Sequence, residues 1–222
     1  MRASLASLNQ AQKARLLQEL GPETQLAILH DWDLWARENQ LAPDGAWSTW
    51  LLLAGRGFGK SRTGAQWVLG RVRAGFGHIA LVAPTSADAR DVMVEGPAGI
   101  LRCAHPSERP LYESSKRRLT WSNGAAATLF SAEEPERLRG PQHDTAWCDE
   151  LGAWKYAQDA WDNLQFGLRL SSSPQACVTT TPRPISLVKE LRRDPTTAVT
   201  RGSTFDNTAN LAARFVAKIR QR

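Results

Sequence analysis

The run Ala54-Gly55-Arg56-Gly57-Phe58-Gly59-Lys60-Ser61 places three glycines, a lysine and a hydroxyl within eight residues. That mixture suits a polyphosphate. Glycines permit turns that aim successive backbone N–H groups at one point, and a helix starting just beyond adds positive potential. Lys60 is placed to reach β- and γ-phosphate oxygens, and the Ser61 hydroxyl is a ligand for Mg²⁺. The run departs from the phosphate-loop pattern G-x-x-x-x-G-K-[ST] at its first position, where the small Ala54 stands for glycine.

A second run, Thr145-Ala146-Trp147-Cys148-Asp149-Glu150, ends an apolar stretch in two adjacent carboxylates. Open α/β sheets place their sites at such C-terminal strand ends. Asp149 then supports Mg²⁺, directly or through water, and Glu150 polarises an attacking water, since phosphoryl transfer needs mainly positioning and charge stabilisation. A third run, Thr179-Thr180-Thr181-Pro182-Arg183-Pro184, offers hydroxyls to a water that senses the γ-phosphate or to the Glu150 side chain.

These groups need strands to carry them and helices to cover them. Residues 1–40 read as helical, with Leu5, Leu8, Leu16, Leu17 and Leu20 on one face, a break at Gly21-Pro22, and Leu26, Leu29 and Leu34 in a second stretch. Thr49–Ala54 is an apolar strand, and Ala65, Val68, Leu69 and Val72 follow at helical spacing. His78–Ala83 reads as a buried strand, with Ser86 capping a helix over residues 87–94. Residues 119–121 and 126–130 suggest short antiparallel strands. Strands over residues 145–148 and 176–181 frame a helix through Ala157, Ala160, Trp161, Leu164 and Leu168. Helices over Ser186–Leu191 and residues 211–222 complete the chain. Alternation of strand and helix predicts a mostly parallel sheet covered on both faces.

Composition narrows the setting. The 222 residues are 42% hydrophobic and 23% charged, which excludes wholesale disorder. No apolar run reaches the roughly 18 residues of a spanning helix. The first 20 residues lack a secretory signal, so a cytosolic setting is expected. Three cysteines, Cys103, Cys148 and Cys177, predict reduced, buried thiols, and four scattered histidines argue against a zinc site. The net charge of +6 favours a polyanionic partner. Nine tryptophans read as core packing, leaving phosphate contacts to Lys and Arg, with Arg90, Lys116, Arg117, Arg118 and Arg183 as candidates.

Together with Ala83-Pro84-Thr85, these runs resemble the ATPase domain of phage terminase large subunits, the motors that pump double-stranded DNA into procapsids, and the corresponding region of gene-transfer-agent terminases. The marks are AGRGFGKSRTGAQW, PERLRGPQ, WCDELGAW and TTTPRP, within residues 32–207. The resemblance implies a P-loop NTPase of the additional-strand, conserved-glutamate type with a RecA-like sheet. It also implies ATP and Mg²⁺ as cofactors and a homo-oligomeric ring, commonly a pentamer. The portal protein and a small terminase subunit are implied partners, in the host cytoplasm and transiently on the procapsid portal vertex.

Carried over by position, Ala54 to Ser61 hold the nucleotide, Ser61 and Asp149 the metal, Glu150 the water, and Thr179, Thr180 and Thr181 couple hydrolysis to movement. Arg56 matches the family's phosphate-loop arginine, Arg137 and Arg139 are candidates for an arginine acting in trans, and Arg37 and Gln40 lie where the adenine-contacting segment falls. The resulting division is a helical segment over 1–45, an ATPase core over 46–202, and the start of a linker or lid over 203–222. The family's nuclease domain is expected to be absent, because residues 208–222 hold at most one helix. Two other readings remain: a superfamily 2-like DNA helicase or translocase, disfavoured by the lack of a second RecA-like domain, and an ATP-gated assembly subunit.

Overall fold

The computed structural model describes residues 18–221 together with 11, 12 and 15. Leu5, Leu8, Leu16 and Leu17 of the expected first helix lie outside the described residues. From Pro22 the helical preface is α1 (Pro22–His30) and α2 (Trp32–Trp35), then a 3-10 turn over Glu38–Gln40. The core follows as β1 (Thr49–Ala54), α3 (Lys60–Arg73), β2 (His78–Ala83), α4 (Ser86–Asp88) and a π-helical turn over Ala89–Val94. Next come α5 (Ile100–Cys103), β3 (Leu111–Glu113), β4 (Arg118–Thr120), β5 (Ala126–Ser131) and β6 (Thr145–Asp149). The chain continues through α6 (Ala157–Gly167), β7 (Gln175–Thr180), α7 (Ser186–Leu191), β8 (Thr197–Gly202) and α8 (Ala213–Arg220).

The described residues form an eight-stranded sheet in the order β3-β4-β5-β2-β6-β7-β1-β8. From β5 to β8 neighbouring strands are parallel, and β4 pairs antiparallel with both β3 and β5. β7 therefore stands between the phosphate-loop strand β1 and the acidic strand β6. Successive residues point to opposite faces. Trp50, Trp147 and Cys177 join the core under α3, with Leu69, Ile79, Leu81 and Met93. Leu51, Cys148 and Val178 join the other, with Trp161, Leu164 and Leu187. Both faces are covered, which is why these strands read as unbroken apolar runs.

Several expectations shift in detail. The helix expected over residues 87–94 opens one residue early, and Thr85, not Ser86, caps it, its Oγ1 accepting from Asp88 N at 3.0 Å. β3 and β8 were not expected, the first being three residues long and the second, Thr197–Gly202, lying half-exposed at a sheet edge with no continuous apolar run. All three cysteines are free and buried. Six tryptophans are buried, and Trp32, Trp35 and Trp47 are partly so. No helix among the described residues is long and apolar enough to cross a membrane.

One close approach sets how α3 sits. Gly64 lies directly against the Trp147 indole, and a Cβ there would overlap the ring. At the far end of the helix, Arg71 donates to Thr145 Oγ1 at 3.2 Å and to Gln175 Oε1 at 2.8 Å, tying it to the starts of β6 and β7. Gly64→Ala is expected to destabilise the fold by roughly 1–3 kcal/mol through overpacking. Gly70, on the same helix, faces open space, so Gly70→Ala should instead stabilise by about 0.5–1 kcal/mol. Denaturant unfolding of both variants checks the pair, and equal effects would contradict this packing.

Candidate active site at the strand ends

The loop between β1 and α3 turns on two glycines in left-handed backbone, Gly57 with φ 77° and Gly59 with φ 104°. Gly55 is needed for a different reason: a Cβ there would stand 2.5 Å from Thr204 Oγ1. α3 starts at Lys60, so its positive end opens at the loop. The Phe58 side chain does not face outward; it is fully buried against Leu52 and Ala54. Lys60 is 7% exposed, and its Nζ donates to the carbonyls of Ala54 at 3.2 Å and Gly55 at 3.4 Å.

The same ammonium lies 3.2 Å from Glu150 Oε1. Glu150 leaves β6 in left-handed backbone, φ 45° and ψ 45°, a sparsely populated conformation for a residue with a Cβ. Its other oxygen accepts from Thr181 N at 3.1 Å and Thr181 Oγ1 at 2.9 Å. Burial pushes the Glu150 carboxyl up, but the Lys60 charge and the two Thr181 hydrogen bonds outweigh it and hold the group below its usual value. The three threonines divide their work. Thr181 holds Glu150, Thr180 Oγ1 accepts from Gly152 N at 2.9 Å, and Thr179 Oγ1 donates to Asp149 Oδ1 at 2.6 Å while accepting from Trp147 Nε1 at 2.9 Å.

Asp149 is 5% exposed. Burial raises its pKa to about 6, against the hydrogen bond from Thr179 and the charge of Lys60. The loop, the acidic pair and the threonine run thus meet at the C-terminal ends of β1, β6 and β7. Ser61 sits partly buried in the first turn of α3.

Other expected residues lie further out. Gln40 is buried, donating to Thr63 Oγ1 at 3.1 Å and accepting from Arg37 N at 3.3 Å, beside Gly59. Arg37 donates to the Phe58 carbonyl. Arg56 is exposed and faces Phe215, Lys218 and Ile219 across a cleft to α8. Arg137 and Arg139 stand at the exposed turn Pro135–Leu138, paired with Glu134 at 3.1 Å and Glu136 at 2.8 Å. Asn207 was missed. It donates to the Gly57 carbonyl at 2.7 Å, and the signal nearby was the capping box of Ser203 and Asp206, which ends β8 in an ordered turn.

The Asp149 carboxyl has a consequence for stability. Its folded-state pKa of about 6 lies above the ordinary 3.8, so the fold favours the protonated acid. Its contribution is full below about pH 4 and is lost as pH rises through about 6. Asp149→Asn keeps the acceptor for Thr179 and removes the buried charge. Without divalent cations it is expected to be more stable than wild type by roughly 2–3 kcal/mol at about pH 7.5, with no gain at about pH 4. Denaturant unfolding at the two pH values decides; a difference independent of pH would contradict the burial argument.

Comparison with known proteins agrees with this architecture. The chain superposes on the Thermus phage P74-26 large terminase ATPase domain with a TM-score of 0.63, 17% identity, and 84% of this chain and 87% of that one covered. It superposes on the large terminase of a thermophilic bacteriophage in complex with ADP with a TM-score of 0.63 and 12% identity, covering 88% of this chain but only 49% of that one. The N-terminal domain of the bacteriophage phi29 DNA packaging ATPase gives a TM-score of 0.53 at 14% identity, with 70% and 90% covered. At these identities the likeness establishes the fold. No curated protein matches the chain. Residues 51–213, however, match the family described as terminase large subunit, T4likevirus-type, N-terminal. The chain belongs to the terminase large subunit family.

Proposed function

We propose that this chain is the ATP-hydrolysing motor domain of a viral terminase large subunit, driving double-stranded DNA into a procapsid. The observation that carries the reading is the position of Glu150, bridged to Lys60 on one side and to Thr181 on the other. One carboxylate touches both the phosphate-binding lysine and the strand that leads away from the site.

The residues present fit Mg²⁺·ATP. Gly57 and Gly59 give the loop its turns, and the buried Lys60 ammonium is held at its mouth by two carbonyls. Ser61 and Asp149 are hard oxygen ligands, the donor set that suits an ion shared with substrate phosphates. When bound, Mg²⁺ would supply positive charge to the substrate's phosphates.

The chain's own residues then act in order. Phosphate oxygens compete with Glu150 for Lys60, and the ammonium moves to the stronger anion. Glu150, released on that side and still held by Thr181, orients water toward the γ-phosphorus and accepts its proton. Arg56, and Arg137 or Arg139 from a ring neighbour, stabilise the charge that develops on the transferring group. Loss of the γ-phosphate returns Lys60 to Glu150, and the Thr181 link passes that change to the segment after β7. Gln40, beside Gly59, is the candidate for the adenine side, with Arg37 next to it held on the Phe58 carbonyl.

The remaining partners follow from family membership and charge: duplex DNA, a homo-oligomeric ring, proposed as a pentamer, the portal protein and a small terminase subunit, in the host cytoplasm and on the portal vertex. Arg90, Lys116, Arg117, Arg118 and Arg183 are proposed phosphate contacts on DNA. Arg90, Lys116 and Arg117 pair with Asp91, Glu113 and Glu134, so DNA phosphates must displace those carboxylates, a cost set against the counterion release that makes phosphate binding salt-dependent.

Glu150→Gln tests the mechanism. The amide keeps an acceptor for Thr181 but no longer competes for Lys60 or accepts a proton. Hydrolysis should fall about 100-fold or more while binding of a fluorescent ATP analogue is retained or tighter. Turnover at the wild-type rate would remove Glu150 from the mechanism.

A further inference from the structure

Two side chains from opposite flanks of the core grip the outer face of the phosphate loop. Asn207 Nδ2 donates to the Gly57 carbonyl at 2.7 Å. The Arg37 guanidinium donates through Nη2 to the Phe58 carbonyl and through Nη1 to Asn207 Oδ1 at 3.0 Å. Its central carbon lies 4.7 Å from the centroid of the Phe58 ring. Asn210 Nδ2 gives Asn207 Oδ1 a second donor at 2.9 Å, and Leu211 and Phe215 close over Gly57.

Peptide geometry gives these contacts a purpose. A trans peptide unit is planar, and its C=O and N–H point in opposite directions. No peptide among the described residues is cis. Holding the Phe58 carbonyl on Arg37 therefore turns the Gly59 N–H to the inner side of the loop. Holding the Gly57 carbonyl on Asn207 sends the Phe58 N–H across the loop, where it meets the Gly55 carbonyl at 3.3 Å. The arrangement has a cost: burial lowers the Arg37 pKa, opposed by Asp206, and Arg37 Nε is buried without a hydrogen-bond partner. A surface arginine meant only for solubility would not be held in this way.

We propose that Arg37 and Asn207 are positioning residues for nucleotide binding. Arg37, through the Phe58 carbonyl, turns the Gly59 amide toward the phosphates, and Asn207, through the Gly57 carbonyl and the Phe58 N–H to Gly55 carbonyl bond, holds the turn that carries it. This inference rests on the reading of the loop as a triphosphate site. Its substance is that ATP affinity depends on a clasp closed by the segments before β1 and after β8, not on the glycine-rich run alone.

Two variants separate this role from general stability. Asn207→Asp keeps the acceptor for Arg37 and Asn210 but replaces the donor to Gly57 with a repelling oxygen. Arg37→Lys keeps the charge but lacks the fork that spans Phe58 and Asn207. On the full chain, binding of a fluorescent ATP analogue, hydrogen exchange of the loop amides and steady-state hydrolysis are measured together. Each variant is expected to weaken binding and raise KM about tenfold, the loss of one or two anchoring hydrogen bonds, with kcat within about threefold of wild type. The Gly59 amide should exchange faster in both. Because the two side chains act on one loop, the double variant should weaken binding by less than the sum of the single effects.

Unchanged affinity in both variants, or a fall in kcat and melting temperature at unchanged affinity, overturns the proposal. Wild-type protein that fails to bind the analogue overturns the triphosphate reading instead, so the two failures are distinguishable.

Discussion

The contact of Gly64 with Trp147 is the constraint on which the site depends. With no Cβ in the way, α3 lies directly on β6 and β7, and its first residue, Lys60, comes within ion-pair distance of the end of β6. The same indole also reaches the chemistry. Trp147 Nε1 donates to Thr179 Oγ1, and Thr179 donates to Asp149. One packed aromatic thus sets both the distance between helix and sheet and the hydrogen bonding of the buried carboxyl. Interiors packed at crystal-like density pass such constraints on with little slack.

Three ionisable groups, Lys60, Asp149 and Glu150, are gathered where burial penalises charge. The fold answers each differently. Lys60 takes two carbonyls and a carboxylate, Glu150 takes the ammonium and both donors of Thr181, and Asp149, helped by the Thr179 hydroxyl and more weakly by Lys60 and the Glu150 backbone, stays the least compensated. An under-compensated carboxyl beside a phosphate-binding loop suits the cation site proposed there. The left-handed backbone of Glu150 serves the same arrangement: strain at a strand end aims the side chain back across β7 toward the loop.

Much of this was readable in the residues. Phosphate chemistry needs glycine, lysine and hydroxyl in a fixed local order, so residues 54–61 announced themselves. Likewise, doubly buried parallel strands must be apolar throughout, which exposed β1, β2, β6 and β7 and the carboxylates and threonines at their ends. What escaped notice depends on contacts between distant parts of the chain. Asn207 is a short polar residue after a strand, and only the folded chain brings it to Gly57, 150 positions away. β8 lies half-exposed at the sheet edge and mixes polar and apolar side chains without strict alternation, so its pattern resembles a loop as much as a strand. Thr85 and Ser86 are chemically equivalent caps, and only the course of the chain after Pro84 decides between them.

The central claim is that Lys60 and Glu150 form one catalytic unit of a motor whose site is completed by a neighbouring copy. Steady-state ATP hydrolysis with Mg²⁺, measured against protein concentration with and without linear duplex DNA and beside Lys60→Ala, tests it most directly. The account predicts turnover that rises more steeply than linearly with concentration, increases with DNA and vanishes in the variant. Turnover strictly linear in protein and indifferent to DNA, or undiminished in Lys60→Ala, would contradict it.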